Sequence, residues 1–161
     1  MNTNVTDVFR KLGAPLNNMR WSWGAVRPVD GNVFLRIWAD QMGYIENKIP
    51  AHTAYDPKTM VCYIGCHDRD NGESRPGWTE RQEHIALIKA GNQAWGIQCK
   101  AREINGQVQD IPHERRVIES VDGKQVWELG EVFRAEDPLG GGEDYWVTMP
   151  RRPSLRSVIV R

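Results

Sequence analysis

The stretch Met19 to Asp40, MRWSWGAVRPVDGNVFLRIWAD, constrains the fold more than any other part of the chain. Two β-prone runs flank Val29-Asp30-Gly31-Asn32, and Asp-Gly suits a tight type I′ hairpin because both central residues of that turn need positive φ. With Asp30 and Gly31 at the turn, Trp23 is expected opposite Trp38, Ala25 opposite Arg36 and Arg27 opposite Phe34. Side chains alternate across a strand. One face would therefore carry Trp21, Trp23, Arg27, Phe34, Arg36 and Trp38, and the other Ser22, Val26, Val33, Leu35 and Ile37. The second set is an aliphatic core face. The first, dense in tryptophan and arginine, is the candidate functional face.

The rest of the chain reads as support. Val5, Val8, Phe9 and Leu12 fall at helical spacing, with Asn4 as cap and Gly13 as stop. Gln41 to Lys58 has no sustained period and reads as loop with one short strand, whereas Met60 to Gly65 is an apolar run of buried-strand type. Thr79-Glu80-Arg81-Gln82 matches a capping box, which predicts a helix over Glu80 to Ala90 with Ile85, Leu87 and Ile88 toward the sheet and Glu80, Glu83 and Lys89 toward water. Ala94 to Arg102 alternates cleanly, placing Trp95, Ile97, Cys99 and Ala101 on one face. Val117 to Leu129 repeats the hairpin logic around Asp122-Gly123, with Ile118 opposite Trp127. Tyr145 to Met149 and Leu155 to Val160 are two further short strands. Seven or eight short strands, mostly joined by tight turns, and two short helices imply a mainly β (α+β) fold: a curved, mostly antiparallel sheet or small barrel in a single domain over residues 1–161.

Composition narrows the function classes. Lys+Arg 21 balances Asp+Glu 21, which argues against a protein that coats nucleic acid by bulk charge, although the preference for Arg over Lys favours forked contacts to phosphate. No apolar run approaches the ~18 residues that would span a bilayer, and three cysteines make no disulfide framework, so a reducing cytoplasmic setting without membrane partners is expected.

Three candidate chemistries emerge. Trp21, Trp23 and Trp38, with Arg20, Arg27 or Arg36 at the rim, form the flat apolar walls and polar edge that a planar ligand or unpaired base requires. The same rings would also serve as plain core, since large aromatics each bury roughly 150 to 250 Å². Trp78 with Arg75 and Arg81 sits at the start of the second helix, where free amides attract anions. Asp70, Gln98 and Lys100 loosely follow the acid plus (D/E/Q)xK layout of metal-dependent nucleases, in which an acid holds the ion and Lys stabilises developing charge. Cys62, Cys66, His67 and Cys99 do not have zinc-site spacing, Asp68 to Gly72 lacks the alternation of a calcium loop, and no other cofactor is implied.

A capped helix between short strands, a curved antiparallel sheet and a Trp-rich hairpin together resemble the PUA-like group, which includes the EVE, ASCH and YTH domains. The resemblance implies a small barrel with an aromatic pocket for a modified base and basic residues guiding the strand. The expectation is a non-enzymatic module binding DNA or RNA through a modified or flipped base, with Trp21, Trp23, Trp38 and Trp78 as aromatic contacts and Arg20, Arg36 and Arg81 holding phosphate. The alternatives are a small metal-dependent nuclease, or a protein-interaction module that docks a partner on the Trp face.

Overall fold

In the computed structural model, residues 4–18, 22–66, 76–108, 117–136 and 143–160 are described. The elements of the first half are α1 (Val5–Lys11), β1 (Gly24–Val26), β2 (Val33–Trp38), β3 (Met42–Tyr44), α2 (Ile45–Lys48), β4 (Met60–Cys66) and α3 (Pro76–Lys89). The second half holds β5 (Ala94–Ala101), β6 (Glu103–Ile104), β7 (Gln107–Val108), β8 (Ile118–Val121), β9 (Trp127–Leu129), β10 (Val132–Glu136) and β11 (Glu143–Thr148).

The expected hairpin forms between β1 and β2, but in a different register: Gly24 lies opposite Leu35, Ala25 opposite Phe34 and Val26 opposite Val33. The cause is a longer loop. Arg27 N–H donates to Asn32 O and Gly31 N–H donates back to Arg27 O, both at 2.8 Å. Pro28 has no N–H to extend the ladder, Asp30 Oδ1 accepts from Asn32 N–H at 3.0 Å, and Gly31 takes a φ of 73°. A shift by two residues leaves each β2 side chain on its expected face, so Val33, Leu35 and Ile37 still enter the main core.

β2 pairs in parallel with β5, Val33 opposite Ala94 through Trp38 opposite Cys99, and the crossover between them contains β3, β4 and α3. Every other named strand pair is antiparallel. The first sheet runs β1-β2-β5-β8 with β9 also on β5; the second runs β10-β11-β4-β3. The fold is mainly β, curled into a half-barrel.

The main core lies between the sheets, where Val33, Leu35 and Ile37 meet Cys62, Ile64 and Val147 and are closed by Trp78, Ile85 and Ile88 of α3. A second core covers the outer face of the first sheet, with Val8, Phe9 and Leu12 of α1 packed on Phe34, Ile97 and Val126. A third joins Ile45 and Ile49 to Val61, Ala135 and Trp146 on the outer face of the second sheet.

Several expectations are corrected. β8 and β9 do not pair with each other; both pair with β5, Ala101 opposite Ile118 and Gly96 opposite Trp127, because the Asp122 carboxylate accepts from the N–H groups of Lys124 and Gln125 and bends the chain along β5. Leu155–Val158 is a 3-10 turn instead of a strand, with Ser154 accepting from Ser157 N–H. The stretch read as loop contains α2. The helix α3 begins at Pro76, a residue suited to the first helical position, so Thr79 lies inside it and Glu80 is buried instead of solvated. Its end is as expected: Gly91 takes a φ of 103°, and Gly91 and Asn92 N–H groups close back on Ile88 and Leu87. Among the described residues, no helix is long and apolar enough to cross a membrane.

Arg27, expected at a pocket rim, is only 2% exposed. Its Nη1 donates to Leu12 O at 3.0 Å and Val158 O at 2.8 Å, Nη2 pairs with Asp30 Oδ2 at 2.8 Å, and its guanidinium lies 4.9 Å from the Phe34 ring centroid. It joins the end of α1, the hairpin loop and the C-terminal turn. The hydrogen bond from Arg27 holds the Asp30 carboxyl below its ordinary pKa. Arg27→Met removes this tie and leaves buried carbonyls without a donor, so unfolding in urea should show a loss of about 3 kcal/mol. A loss below ~1 kcal/mol would mean that packing alone holds the three segments together.

Candidate functional site

The strongest concentration of polar groups in the interior lies where α3 crosses β1. A helix places residues four apart on one face, and here that face holds Glu80 and His84, 6% and 4% exposed, against Ser22 and Gly24. Glu80 Oε2 accepts from Ser22 Oγ at 3.1 Å and from Asn17 Nδ2 at 3.3 Å. Ser22 Oγ also accepts from Asn18 N–H at 3.0 Å, which fixes the hydroxyl to donate toward the carboxylate. Among the described residues, Glu80 Oε1 and His84 Nδ1 have no hydrogen-bond partner.

Gly24 is required for this approach. A Cβ at that position would stand 2.4 Å from Phe34 O and 3.2 Å from His84 Nδ1. The imidazole therefore packs directly on the β1 backbone.

Between Glu80 and His84 in sequence, Arg81 points into the junction of the two sheets. Nη1 donates to Ile64 O at 3.0 Å, and Nη2 donates to Trp23 O at 3.0 Å and Arg36 O at 2.9 Å. The guanidinium lies 5.7 Å from the Trp23 ring centroid. Burial pulls the Arg81 pKa down to about 10, which leaves it charged at neutral pH. Burial and then the Arg81 charge pull His84 down to about 4, so its imidazole is neutral at pH 7. Burial pushes Cys62 up to about 12 and Cys99 to about 11; both are free, buried thiols.

The sequence-derived residues are dispersed. Arg20 and Trp21 lie outside the described residues, as do Asp70, Arg75 and His67. Trp23 is half-buried, packs against the main core and carries Arg81 against its ring. Arg36 N–H donates to Trp23 O at 2.7 Å, so Arg36 takes the cross-strand place expected for Trp38. Trp38 is half-buried at the end of β2, and alternation places it on the same face of the strand as Phe34 and Arg36. Trp78 is 6% exposed; it covers Gly65, where a Cβ would stand 2.1 Å from the indole, and its ring centroid is 6.1 Å from that of Tyr145. Arg81 is a tie between main-chain carbonyls.

Gln98 and Lys100 are engaged elsewhere. Gln98 Oε1 accepts from Trp127 Nε1 at 2.9 Å and Arg152 Nη2 at 3.3 Å, and Lys100 pairs with Glu119 at 3.2 Å. Among the described residues, no group of three or more His, Cys, Asp or Glu side chains is placed to hold a metal ion.

Sequence reading missed Ser22, Glu80 and His84. The signal was present in part: two polar residues four apart, interleaved with Ile85 and Ile88, on a helix whose apolar face is narrow. The chain matches no protein-family model, no curated protein and no solved structure.

The His84 environment sets an acid limit. The unfolded chain takes up a proton near pH 6.5 and the folded site only near pH 4, so the unfolded state binds more protons between these values and stability falls as pH drops through that window. The contribution present above pH 6.5 is roughly 3 kcal/mol. Unfolding free energies measured from pH 8 to pH 4 should show this loss, and a His84→Gln variant that folds should show a flatter slope. Equal slopes would mean that other groups carry the acid sensitivity.

Proposed function

We propose that this chain is a non-enzymatic binding module for nucleic acid that holds one unpaired, flipped or modified base against Trp23, with Arg36 toward the phosphate. The observation that carries this reading is the half-buried Trp23 ring, held by Arg81 through its carbonyl and against its indole.

Trp23 is suited to stacking. Its carbonyl and its ring are both set by Arg81, so the indole is oriented before any ligand arrives. A cation against one face of an indole is itself favourable, and the opposite face is the one a second flat ring would stack on. Net charge of zero fits a module that recognises one base more than one that wraps a long backbone.

The test is intrinsic fluorescence, for which seven tryptophans give ample signal. Single- and double-stranded oligonucleotides, with and without modified bases, are titrated at two salt concentrations. Saturable quenching that weakens with salt is expected, and Trp23→Ala should lower affinity by about tenfold or more, the worth of one base stack. Absence of quenching with every oligonucleotide, or unchanged binding by a folded Trp23→Ala variant, overturns the proposal.

A further inference from the structure

We infer that Asn105 is a site of spontaneous covalent modification, where the Asn105-Gly106 turn loses its side-chain amide to water and becomes a mixture of aspartate and isoaspartate. The Asp30-Gly31 and Asp122-Gly123 turns, open to the same ring closure by sequence, are held unreactive by the fold. The inference stands independently of the base-binding reading.

The chemistry depends on the glycine. The backbone nitrogen of Gly106, once base has taken its proton, attacks Cγ of Asn105. The N–Cγ bond forms, the Cγ–Nδ2 bond breaks, and ammonia leaves with a proton from water. The product is a five-membered succinimide, which a second reaction with water opens at either carbonyl. Cleavage of the new N–Cγ bond restores the ordinary main chain with an aspartate side chain. Cleavage at the original main-chain carbonyl routes the chain through the β-carbon, which is isoaspartate. In sum, one amide and one water give one carboxylate and one ammonium ion. A side chain on residue 106 would crowd the forming ring, and glycine has none.

The fold leaves this turn open. β6 and β7 form a two-stranded sheet of their own, with Glu103 opposite Val108 and Ile104 opposite Gln107. Asn105 and Gly106 are the turn residues, at φ 55° and 77°, and residues 103–107 are all exposed. No atom lies within 4 Å of where a Cβ on Gly106 would stand. A hairpin of two strands alone is marginal in water, so it opens locally at little cost and lets the nitrogen reach Cγ. Among the described residues, nothing hydrogen bonds to the Asn105 carboxamide. The other two turns differ on this point. Asp30 Oδ1 accepts from Asn32 N–H at 3.0 Å, and Oδ2 accepts from Arg27 Nη2 at 2.8 Å. Asp122 Oδ1 accepts from Lys124 N–H at 2.8 Å and Gln125 N–H at 3.1 Å, and Oδ2 accepts from Arg152 Nη2 at 2.7 Å. A carboxyl group clamped to the N–H two residues ahead cannot swing its carbon onto the nitrogen of the glycine between.

The test compares the full chain folded and unfolded in guanidinium chloride, each incubated at mildly alkaline pH and then cut with trypsin. Residues 103–115 fall in one peptide in which Asn105 is the sole asparagine. That peptide should gain the mass difference between an amide and an acid and split on chromatography into aspartate and isoaspartate forms. Its rate in the folded chain should lie within about threefold of the unfolded rate, because exposed turns open at almost no cost. Asp30 and Asp122 should form isoaspartate at least about tenfold more slowly in the folded chain than in the unfolded one, the worth of one hydrogen bond to a charged group. Asn105→Gln, which would have to close a larger ring, should remove the mass gain from this peptide. The wild-type comparison stands alone if that variant does not fold. An Asn105 amide that survives in the folded chain while the unfolded chain loses it overturns the assignment. Isomerisation of Asp30 or Asp122 as fast in the folded chain as in the unfolded one overturns the claim that the fold holds those turns unreactive.

Discussion

One guanidinium holds the architecture together. Arg81 leaves α3 and donates to carbonyls on three separate segments: Ile64 in β4, Arg36 in β2 and Trp23 just before β1. The first belongs to one sheet and the other two to the other, so a single side chain fixes helix, sheet and sheet relative to one another. Among the described residues no carboxylate hydrogen bonds to it; carbonyl dipoles do the compensating, with Glu80 contributing at longer range. A buried cation held in this way is costly to desolvate, and carbonyls converging on it recover that cost only in one geometry. Placing such a group at the seam between sheets makes the seam specific in a way that Ile and Val packing alone would not.

Arg27 plays the corresponding part on the other side of the hairpin. Its donors gather Leu12 O and Val158 O beside Asp30, so the N-terminal helix and the C-terminal turn close on the same loop. The two arginines face opposite sides of the β1–β2 unit. This explains how strands of three and six residues form a stable edge without a long ladder. Lost ladder hydrogen bonds are replaced by side-chain donors, which are stronger when charged.

The hairpin, the alternation of β5 and the Gly91 stop of α3 were legible because each depends on local chemistry: a turn residue, a period of two, a residue that tolerates positive φ. What escaped depends on partners distant in sequence. Arg27 read as a pocket-rim residue and Arg81 as a phosphate contact because an arginine beside aromatics looks alike whether it faces a carbonyl cluster or a ligand. Glu80 read as solvated because its donors, Ser22 and Asn17, lie about sixty residues earlier and no helical period reveals them. The strand β9 was paired with β8 by analogy with the first hairpin, whereas the Asp122 carboxylate bends the chain so that both lie along β5. The hairpin register failed for a smaller reason: Pro28 removes one donor, and the loop lengthens to satisfy the rest.

Burying arginine also bears on the charge argument. A chain with equal numbers of acidic and basic residues has a neutral surface only if both kinds are exposed to the same degree. Among the described residues Arg27 and Arg81 are inside, and so are Glu80 and Asp144, so burial removes both signs equally and adds nothing to any case for broad electrostatic attraction. The polar groups on the β1-facing side of α3 are held in place: Ser22 orients Glu80, Gly24 admits His84 against the backbone, and Arg81 sets Trp23. Rigid acceptors lose little freedom when a ligand arrives, so the specificity of a small site is greatest where the fold has already ordered its polar groups.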